Sequence, residues 1–254
     1  METGLEGRRQ EMVELVNREG EVSFNRLKEC FPNVSEVTLR KDLRFLDAGQ
    51  YLIRVYGGAK SIHSTYANVT SYYMRNNQHI EEKSQIAGKA VKLLKPYDSL
   101  YLAAGSTCCA IAQQLPDIPL RIVTNGLETA MALSKLKKAE ILVLGGELDL
   151  ETMEMAGAKV IWELENLRMD YAFNGTLGYS LEYGFGYQSV HALMVARLLC
   201  KRAGKMVTVM DSSKVESMRA LYNLEAGQVD ILISDDRLRK DAASRLERQQ
   251  VMVM

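Results

Sequence analysis

The amino-acid sequence predicts an α/β protein in two parts, a small N-terminal domain of three helices and a β-hairpin and a larger domain built on a parallel sheet. Two observations predict this fold class. Leucines recur at helical spacing between residues 39 and 46, and a short strand-like run ending in two glycines follows them. After residue 98, short continuous apolar runs alternate with helical stretches, which is typical of parallel strands covered by helices on both faces.

The composition is that of a soluble globular protein, with 47% hydrophobic and 25% charged residues among 254. The sequence has no apolar run long enough to predict a membrane span, and its polar N-terminus lacks the apolar core of a signal peptide. The four cysteines form no C-x-x-C pair, and the three histidines are scattered. We therefore expect a cytoplasmic protein with no membrane partner, no metal site and no cofactor.

Two short helices open the chain. Apolar residues at helical spacing begin at Met12, and Gly20 ends this first helix. Ser23 is a good N-cap for a second helix, and Pro32-Asn33 forms the turn into a third.

The third helix begins at Ser35 and carries one apolar stripe. Leu39, Leu43 and Leu46 recur at i, i+4 and i+7, which places them on a single face. We expect this stripe to pack against the two preceding helices.

The opposite face of the third helix suits the major groove of DNA. Val37, Lys41 and Arg44 lie on that face, with Thr38 and Arg40 beside it. The cations would meet phosphates or guanine edges, and a small apolar side chain suits a thymine methyl group. The alternative is an amphipathic surface helix whose charges are simply solvated.

A wing follows the third helix. Residues 51–56 form a strand-like run that Gly57-Gly58 closes, and Arg54 within it would lie against the phosphate backbone. Three helices and a wing in about 60 residues indicate a winged helix-turn-helix DNA-binding domain. The candidate DNA-binding residues are Ser35, Val37, Thr38, Arg40, Lys41, Arg44 and Arg54.

The charge balance of this region is modest. From Val22 to Lys60 the chain has seven Lys/Arg and four Asp/Glu, and the whole chain has a formal net charge of +0. Affinity for DNA would therefore depend on base contacts and on several DNA-binding units per oligomer.

The domain organisation predicted from these patterns is a DNA-binding domain over 1–60, a linker over 61–80 and an α/β domain over 81–254. The linker is polar and lacks periodicity. In the α/β domain, strands are predicted at 99–105, 120–125, 140–146, 205–211 and 229–235, and a strand plus a loop is predicted at 171–178. Helices are predicted at 106–115, 128–136 and 191–204.

Polar and small residues follow these predicted strands. Gly105-Ser106-Thr107 ends one strand and opens a helix, so its free amides and two hydroxyls suit a phosphate. In α/β sheets, ligands bind at the carboxyl ends of the strands, where these residues would lie. The alternative is that the same residue types only turn the chain.

The N-terminal region resembles the DeoR family of bacterial transcriptional regulators. The family signature runs VS-x-x-T-[IL]-R-[RK]-D-L-x-x-L, then L-x-R and GGA. The matching residues here are Val34-Ser35, Thr38–Leu43, Leu46, Leu52-Ile53-Arg54 and Gly57-Gly58-Ala59.

The rest of the chain resembles the sensor domain of the same family. The family order is E-K, I-A, G-[ST]-T, T-N, G-G, G-x-x-G and D-x-[ST]-K, and every motif occurs here in that order. The resemblance implies a fold similar to ribose-5-phosphate isomerase and CoA-transferases, and it implies the sensing of phosphorylated sugars. It implies effector-binding roles for Gly105, Ser106, Thr107, Thr124, Asn125, Gly145, Gly175, Asp211 and Lys214.

Two departures from the family pattern concern the effector site. Ala103-Ala104 stands where the family often has an acidic residue, and residues 184–192 lack the usual carboxylates. Tyr183, Tyr187, Gln188 and His191 could remodel the pocket. We therefore expect an altered or weakened effector interaction.

The function that the resemblance implies is a DNA-binding regulator, a repressor of carbohydrate-metabolism genes, that responds to a phosphorylated sugar, and we expect it to act as a homo-oligomer (dimer or tetramer). The alternative is a sugar-phosphate isomerase-like enzyme with an added N-terminal domain, in which Asp211 and Lys214 would supply a base and a cation. A third hypothesis, a pure interaction module, leaves the polar strand ends unexplained. We expect that the protein is not an enzyme.

Overall fold

The computed structural model describes residues 5–49, 51–55, 57–61, 75–217 and 222–254. These residues fall into two compact units, 1–70 and 71–254. Residues 62–74, most of the predicted linker, lie outside the described residues. The exact bounds of the domains and linker stay a prediction.

The N-terminal unit contains the predicted three helices and hairpin. Its elements are α1 (Leu5–Glu19), β1 (Glu21–Ser23), α2 (Phe24–Cys30), α3 (Glu36–Ala48), β2 (Ile53–Val55) and β3 (Gly58–Lys60). The strands form an antiparallel sheet in the order β1-β3-β2, so a short strand that the sequence did not predict joins the wing.

Local sequence explains where the N-terminal elements begin. The hydroxyl of Ser23 accepts a hydrogen bond from the amide of Arg26 at 3.1 Å and caps α2. Ser35 caps α3 in the same way, accepting from the amide of Thr38 at 3.2 Å. A side chain at Gly58 would stand 2.2 Å from the carbonyl oxygen of Val22, so the close approach of β3 to β1 requires glycine.

The core of the N-terminal unit is continuous across its helices and wing. The leucine stripe of α3 is buried, as predicted, together with apolar residues of α1, α2 and the sheet. The fully or nearly fully buried members are Met12, Leu15, Val16, Val22, Leu27, Leu39, Leu43, Leu46, Leu52 and Ala59.

The C-terminal unit is an α/β domain, as predicted. Its elements up to the centre of the sheet are α4 (Ile80–Val91), β4 (Ser99–Leu102), α5 (Ser106–Gln114), β5 (Arg121–Thr124), α6 (Leu127–Leu133), β6 (Glu140–Val143), β7 (Glu147–Asp149), β8 (Glu154–Ala156), α7 (Ala158–Glu165) and β9 (Met169–Gly175). The remaining elements are β10 (Gly178–Ser180), β11 (Gly184–Tyr187), α8 (Val190–Arg202), β12 (Ala203–Val209), β13 (Tyr222–Leu224), β14 (Ile231–Ile233), α9 (Lys240–Arg248) and β15 (Met252–Val253).

Seven parallel strands form the main sheet in the order β15-β14-β12-β9-β4-β5-β6. Each strand predicted from a continuous apolar run is present in it. Strands β9 and β4 lie at its centre, whereas β6 lies at one edge. This order decides which strand ends meet.

Two smaller sheets lie beyond the strand ends of the main sheet, and the sequence predicted neither. Strands β7 and β8 form an antiparallel hairpin, and β10, β11 and β13 form a second antiparallel sheet. The strand predicted within residues 171–178 ends at Gly175, where the chain leaves the main sheet, and β10 begins at Gly178.

Candidate functional site

Helix α3 presents a basic, exposed face opposite its buried leucines. Val37 is 65% exposed, and Arg40, Lys41 and Arg44 are also exposed. Lys41 and Arg44 form no ion pair with any residue that the structure describes, so both cations are available to a partner.

The other candidate DNA-contacting residues have structural roles as well. The hydroxyl of Ser35 lies 2.9 Å from that of Thr38, so the helix cap occupies both side chains. The guanidinium of Arg40 stacks over the ring of Phe24, 4.2 Å from its centroid. Arg54 is exposed on the wing, and its amide donates to Asp47 at 2.9 Å, which fixes the wing to the end of α3.

A buried ion cluster holds α3 against α1. Asp42, almost fully buried, accepts hydrogen bonds from Arg8 and Arg9 of α1, each at 2.8 Å. Arg9 also stacks on Phe45, 3.8 Å from the ring centroid. Sequence reasoning quoted Asp42 within the family signature but gave it no role, since its partners lie more than thirty residues away.

A cleft of about 110 Å³ opens at the carboxyl ends of the central strands in the C-terminal unit. Its walls come from the residues after β4, β5 and β9, from the β7–β8 hairpin, from β11 and the start of α8, and from Arg75 and Lys214. The space exceeds that of one water molecule severalfold and suits a small polar ligand. This is the edge of a parallel sheet where α/β proteins bind ligands.

The N-terminus of α5 faces the cleft. Gly105 precedes the helix with φ of +118°, a conformation that side chains disfavour, and Ser106 and Thr107 form its first turn. Amides in a first helical turn have no acceptor within the helix. All three residues line the cleft, so amide donors and two hydroxyl-bearing side chains lie at its wall.

Cations cluster beside this helix N-terminus. The ammonium of Lys214 donates to the carbonyl of Thr176 at 2.7 Å and lies 4.0 Å from the carboxylate of Asp211. Burial lowers the pKa of Lys214, and the positive charge of Arg75 lowers it as well. The carboxylate of Asp211 acts in the opposite direction and raises the pKa.

Lys83 extends the same cationic cluster. The pKa of Lys83 is lowered to about 8, chiefly by burial and next by the charge of Lys214. Its ammonium donates to the carbonyls of Arg75 and Gln78, the latter at 2.6 Å. Lys83 thus fixes the segment that carries Arg75 beside the cleft, a role that the E-K motif alone does not reveal.

Asn125 anchors the other side of the cleft. Its side-chain oxygen accepts from the hydroxyl of Tyr101 at 2.7 Å and from the amide of Ala104 at 3.2 Å. Its side-chain amide donates to the carbonyl of Met155 at 3.1 Å, which joins the β7–β8 hairpin to the end of β5.

The hairpin brings a carboxylate, Glu154, into the cleft. The pKa of Glu154 is raised to about 7, chiefly by burial and next by the charge of Asp149, whereas the charge of Arg75 opposes the shift. Sequence reasoning missed this residue because the hairpin segment shows no clear strand pattern.

Three predicted effector residues do not line the cleft. Gly145 follows β6 at the sheet edge, and a side chain there would meet Lys159 at 2.7 Å. The hydroxyl of Thr124 accepts from the amide of Gly126 at 3.1 Å and shapes the turn that positions Asn125. Asp211 is 2% exposed and lies behind Lys214.

The region that departs from the family pattern forms part of the wall. Tyr187, Gln188 and His191 line the cleft, whereas Tyr183 is exposed and does not. Burial lowers the pKa of His191, and its Nε2 atom is buried without a hydrogen-bond partner among the described residues. Gly175, from the end of β9, also lines the cleft.

Among the described residues, no helix is long and apolar enough to cross a membrane. Within the same ranges, no group of three or more His, Cys, Asp or Glu side chains could hold a metal ion.

Known proteins resemble the chain over nearly its full length. It is 30% identical to the HTH-type transcriptional repressor GlcR of Bacillus subtilis (strain 168), over 87% of this chain and 85% of that protein. It is 29% identical to the lactose phosphotransferase system repressor of Streptococcus mutans serotype c, over 92% and 95% of the two chains. The structure also aligns with that of a ribose 5-phosphate isomerase from Methanocaldococcus jannaschii, over 54% of this chain and 55% of the isomerase chain, with 16% identity and a TM-score of 0.40.

Two domain families match the two units. The DeoR-like helix-turn-helix domain matches residues 8–65, which include α3 and the wing. The DeoR C terminal sensor domain matches residues 78–236, which include the cleft wall from Tyr101 to Lys214. Since these matches span most of the sequence in the family's order, the chain belongs to the DeoR family of DNA-binding transcriptional regulators.

Proposed function

We propose that the protein is a repressor of carbohydrate-metabolism genes whose binding to operator DNA is controlled by a phosphorylated sugar in the cleft. In this proposal residues 1–60 bind DNA, residues 61–80 link the domains, and residues 81–254 form the oligomer and bind the effector together with Arg75 at the end of the linker. The protein acts in the cytoplasm as a dimer or tetramer, because paired half-sites require paired recognition helices.

The observation that carries this proposal is the meeting of a helix N-terminus with two half-buried cations in one cleft. The amides of Ser106 and Thr107 and the ammonium of Lys214 line the same cleft, and Arg75 lies with them. Amide donors at a helix N-terminus together with lysine and arginine are typical of phosphate sites. The relative named for the lactose phosphotransferase system supports a carbohydrate ligand.

The proposed effector contacts are the predicted residues that line the cleft, together with two residues that the structure adds. Thr124 shapes the turn that positions Asn125, and Asp211 lies 4.0 Å from the ammonium of Lys214. Gly145 lies outside the proposed site. The proposed contacts are Gly105, Ser106, Thr107, Asn125, Gly175, Lys214, Arg75 and Glu154.

The proposed DNA contacts are the exposed residues of α3 and the wing. Val37, Lys41 and Arg44 would enter the major groove, and Arg54 would lie against the backbone. Ser35, Thr38 and Arg40 are held by contacts within the domain, so their proposed contribution is to the phosphates beside the groove.

The isomerase alternative is set aside, because relatives over nearly the whole chain are transcriptional regulators and repressors. The chain carries a DNA-binding domain and a sensor domain of one regulator family.

The test begins with an operator selected by the full-length protein from a library of random duplexes. Fluorescence anisotropy then measures operator affinity with sugar phosphates, the matching free sugars and sugar acids. We expect one phosphorylated sugar to change operator affinity at least tenfold while its free sugar does not. Selection of no preferred sequence would contradict the proposed DNA binding, and an equal response to free and phosphorylated sugars would contradict the phosphate site.

A further inference from the structure

Strand β6, at one edge of the main sheet, exposes apolar side chains on both of its faces. Leu142 is 47% exposed and Val143 is 43% exposed. Adjacent residues of a strand point to opposite faces, so neither face of β6 is fully covered. Parallel strands are ordinarily buried on both faces, as all residues of β14 are. The described residues therefore leave apolar surface at β6 that they do not bury, and the exposed Leu148 and Leu150 continue it into the following hairpin.

The outer edge of β6 has no strand beside it among the described residues. The amides of Glu140 and Leu144 donate inward, to carbonyls on the β5 side, each at 2.8 Å. Since the backbone groups of successive residues alternate in direction, those of Ile141 and Val143 point outward. Edge strands are commonly protected by lysine or proline, and β6 contains neither. Its single charged residue, Glu140, pairs with Arg121 of β5 at 3.4 Å, so the edge is open to a further strand.

The two ends of β6 carry opposite charges. Lys135 and Lys137 are exposed before the strand, and Glu147 and Asp149 are exposed after it. The ammonium of Lys135 donates to the carbonyl of Gln113, and Asp149 accepts an amide of its own hairpin at 2.8 Å. Both charges are thus held in place by backbone groups. An antiparallel second β6 brings each basic end beside an acidic end, whereas a parallel one brings like charges together.

We propose that β6 pairs with β6 of a second copy of this chain, antiparallel and centred on Leu142, so that the two main sheets join into one. In this register Ile141 of each copy forms hydrogen bonds with Val143 of the other, and the two copies of Leu142 lie directly opposite each other. The contact is symmetric, so it uses both open edges and closes as a dimer. This inference rests on the proposed function, because it assigns the oligomer contact of residues 81–254 to one strand.

The first experiment measures the mass of the full-length protein by light scattering after size-exclusion chromatography. Leu142→Lys places a charge at the centre of the proposed contact, and a lysine on an edge strand opposes pairing. We expect it to halve the mass of the wild-type oligomer at equal concentration. The matched control is Met252→Lys, an exposed methionine on β15 at the opposite edge of the sheet, which should keep the wild-type mass. Melting curves establish that both variants are folded.

The second experiment tests the register with a cross-link, in a Cys30→Ser background that removes the exposed native cysteine. Leu142→Cys should form a disulfide between two copies when oxidised glutathione is added, because residues directly opposite each other bring their Cβ atoms within reach of a disulfide. Glu140→Cys is the control, since its two copies would lie roughly 14 Å apart along the paired strands, beyond that reach. Non-reducing gel electrophoresis measures the covalent dimer.

A wild-type mass for Leu142→Lys overturns the inference, as does a cross-link that forms as readily with Glu140→Cys as with Leu142→Cys. In both cases the proposed function stands, because the chain still forms an oligomer through another surface. A wild type that is monomeric at every concentration contradicts the oligomer in the proposed function, and the inference fails with it. Operator and effector binding are tested separately by the anisotropy assay.

Discussion

Asp42 of α3 accepts a hydrogen bond at 2.8 Å from the guanidinium of Arg9 of α1. Arg8 binds the other carboxylate oxygen at the same distance, so one carboxylate fixes α3 against two cations of α1. The opposite face of α3 carries the exposed Lys41 and Arg44. The ion cluster therefore sets the direction in which the proposed DNA-binding face points.

Replacing Asp42 by asparagine should destabilise the N-terminal domain. Loss of the buried charge leaves two arginines without their partner, and we expect a loss of about 2–4 kcal/mol in unfolding free energy. Urea denaturation followed by circular dichroism measures it. Glu36→Gln is the control, because Glu36 forms only an exposed pair with Lys28. An unchanged midpoint for Asp42→Asn would show that the cluster contributes little.

Lys41→Ala and Arg44→Ala should each weaken operator binding without changing the melting temperature. Both side chains are exposed, so their loss removes a DNA contact and leaves the core intact. We expect about a tenfold or larger loss of affinity. For a phosphate contact, the slope of log affinity against log salt should fall by about one. The control is Lys138→Ala, an exposed lysine of the other domain, and wild-type affinity in either variant would remove that residue from the interface.

Lys214→Ala should abolish the response to the effector while operator binding without effector persists. The change removes the ammonium that lines the cleft beside α5 but no residue of the DNA-binding domain. Anisotropy titrations with and without the active sugar phosphate measure both quantities. Lys205→Ala, an exposed lysine paired with Asp230 in the same domain, serves as the matched control. A normal response in Lys214→Ala would exclude the proposed phosphate site.

Glu154→Gln should stabilise the ligand-free protein at alkaline pH. The pKa of Glu154 is raised from an ordinary value of 4.5 to about 7, so the folded state loses stability as this carboxyl ionises between those values. Below pH 4.5 the carboxyl is protonated in both states and the loss vanishes. We expect the variant to gain on the order of 2 kcal/mol relative to wild type between pH 5 and pH 8.

Melting curves at pH 5 and pH 8 measure this difference, with Glu147→Gln as a control that should follow the wild type at both. A difference between Glu154→Gln and wild type that is the same at both pH values would show that the carboxyl is not buried enough to matter.

The elements that sequence reasoning predicted well are those set by local patterns. The stripe of Leu39, Leu43 and Leu46 needs only helical periodicity, and the buried strands need only continuous apolar runs. The N-cap of Ser35 is likewise a contact over three residues. In each case the information lies within a few residues of the feature.

The features that sequence reasoning missed depend on distant contacts. Gly145 was placed with the other strand ends, but strand order is not readable from the chain, and β6 is at the sheet edge. Glu154 reaches the cleft only because its hairpin pairs with Gly126. The partners of Asp42 lie in another helix. No local pattern contains these relationships.

The cleft residues follow the strands of the main sheet and stand mostly outside its apolar core. Glu154 lies in a separate hairpin, and Lys214 lies in a short helical turn after β12. A substitution at either position changes the charge and the hydrogen-bonding groups of the cleft wall and leaves the interior of the sheet intact. Under the proposed function, the same scaffold can therefore be retuned to new effectors by a few substitutions, in evolution or in the laboratory construction of metabolite biosensors, while the DNA-binding domain stays the same.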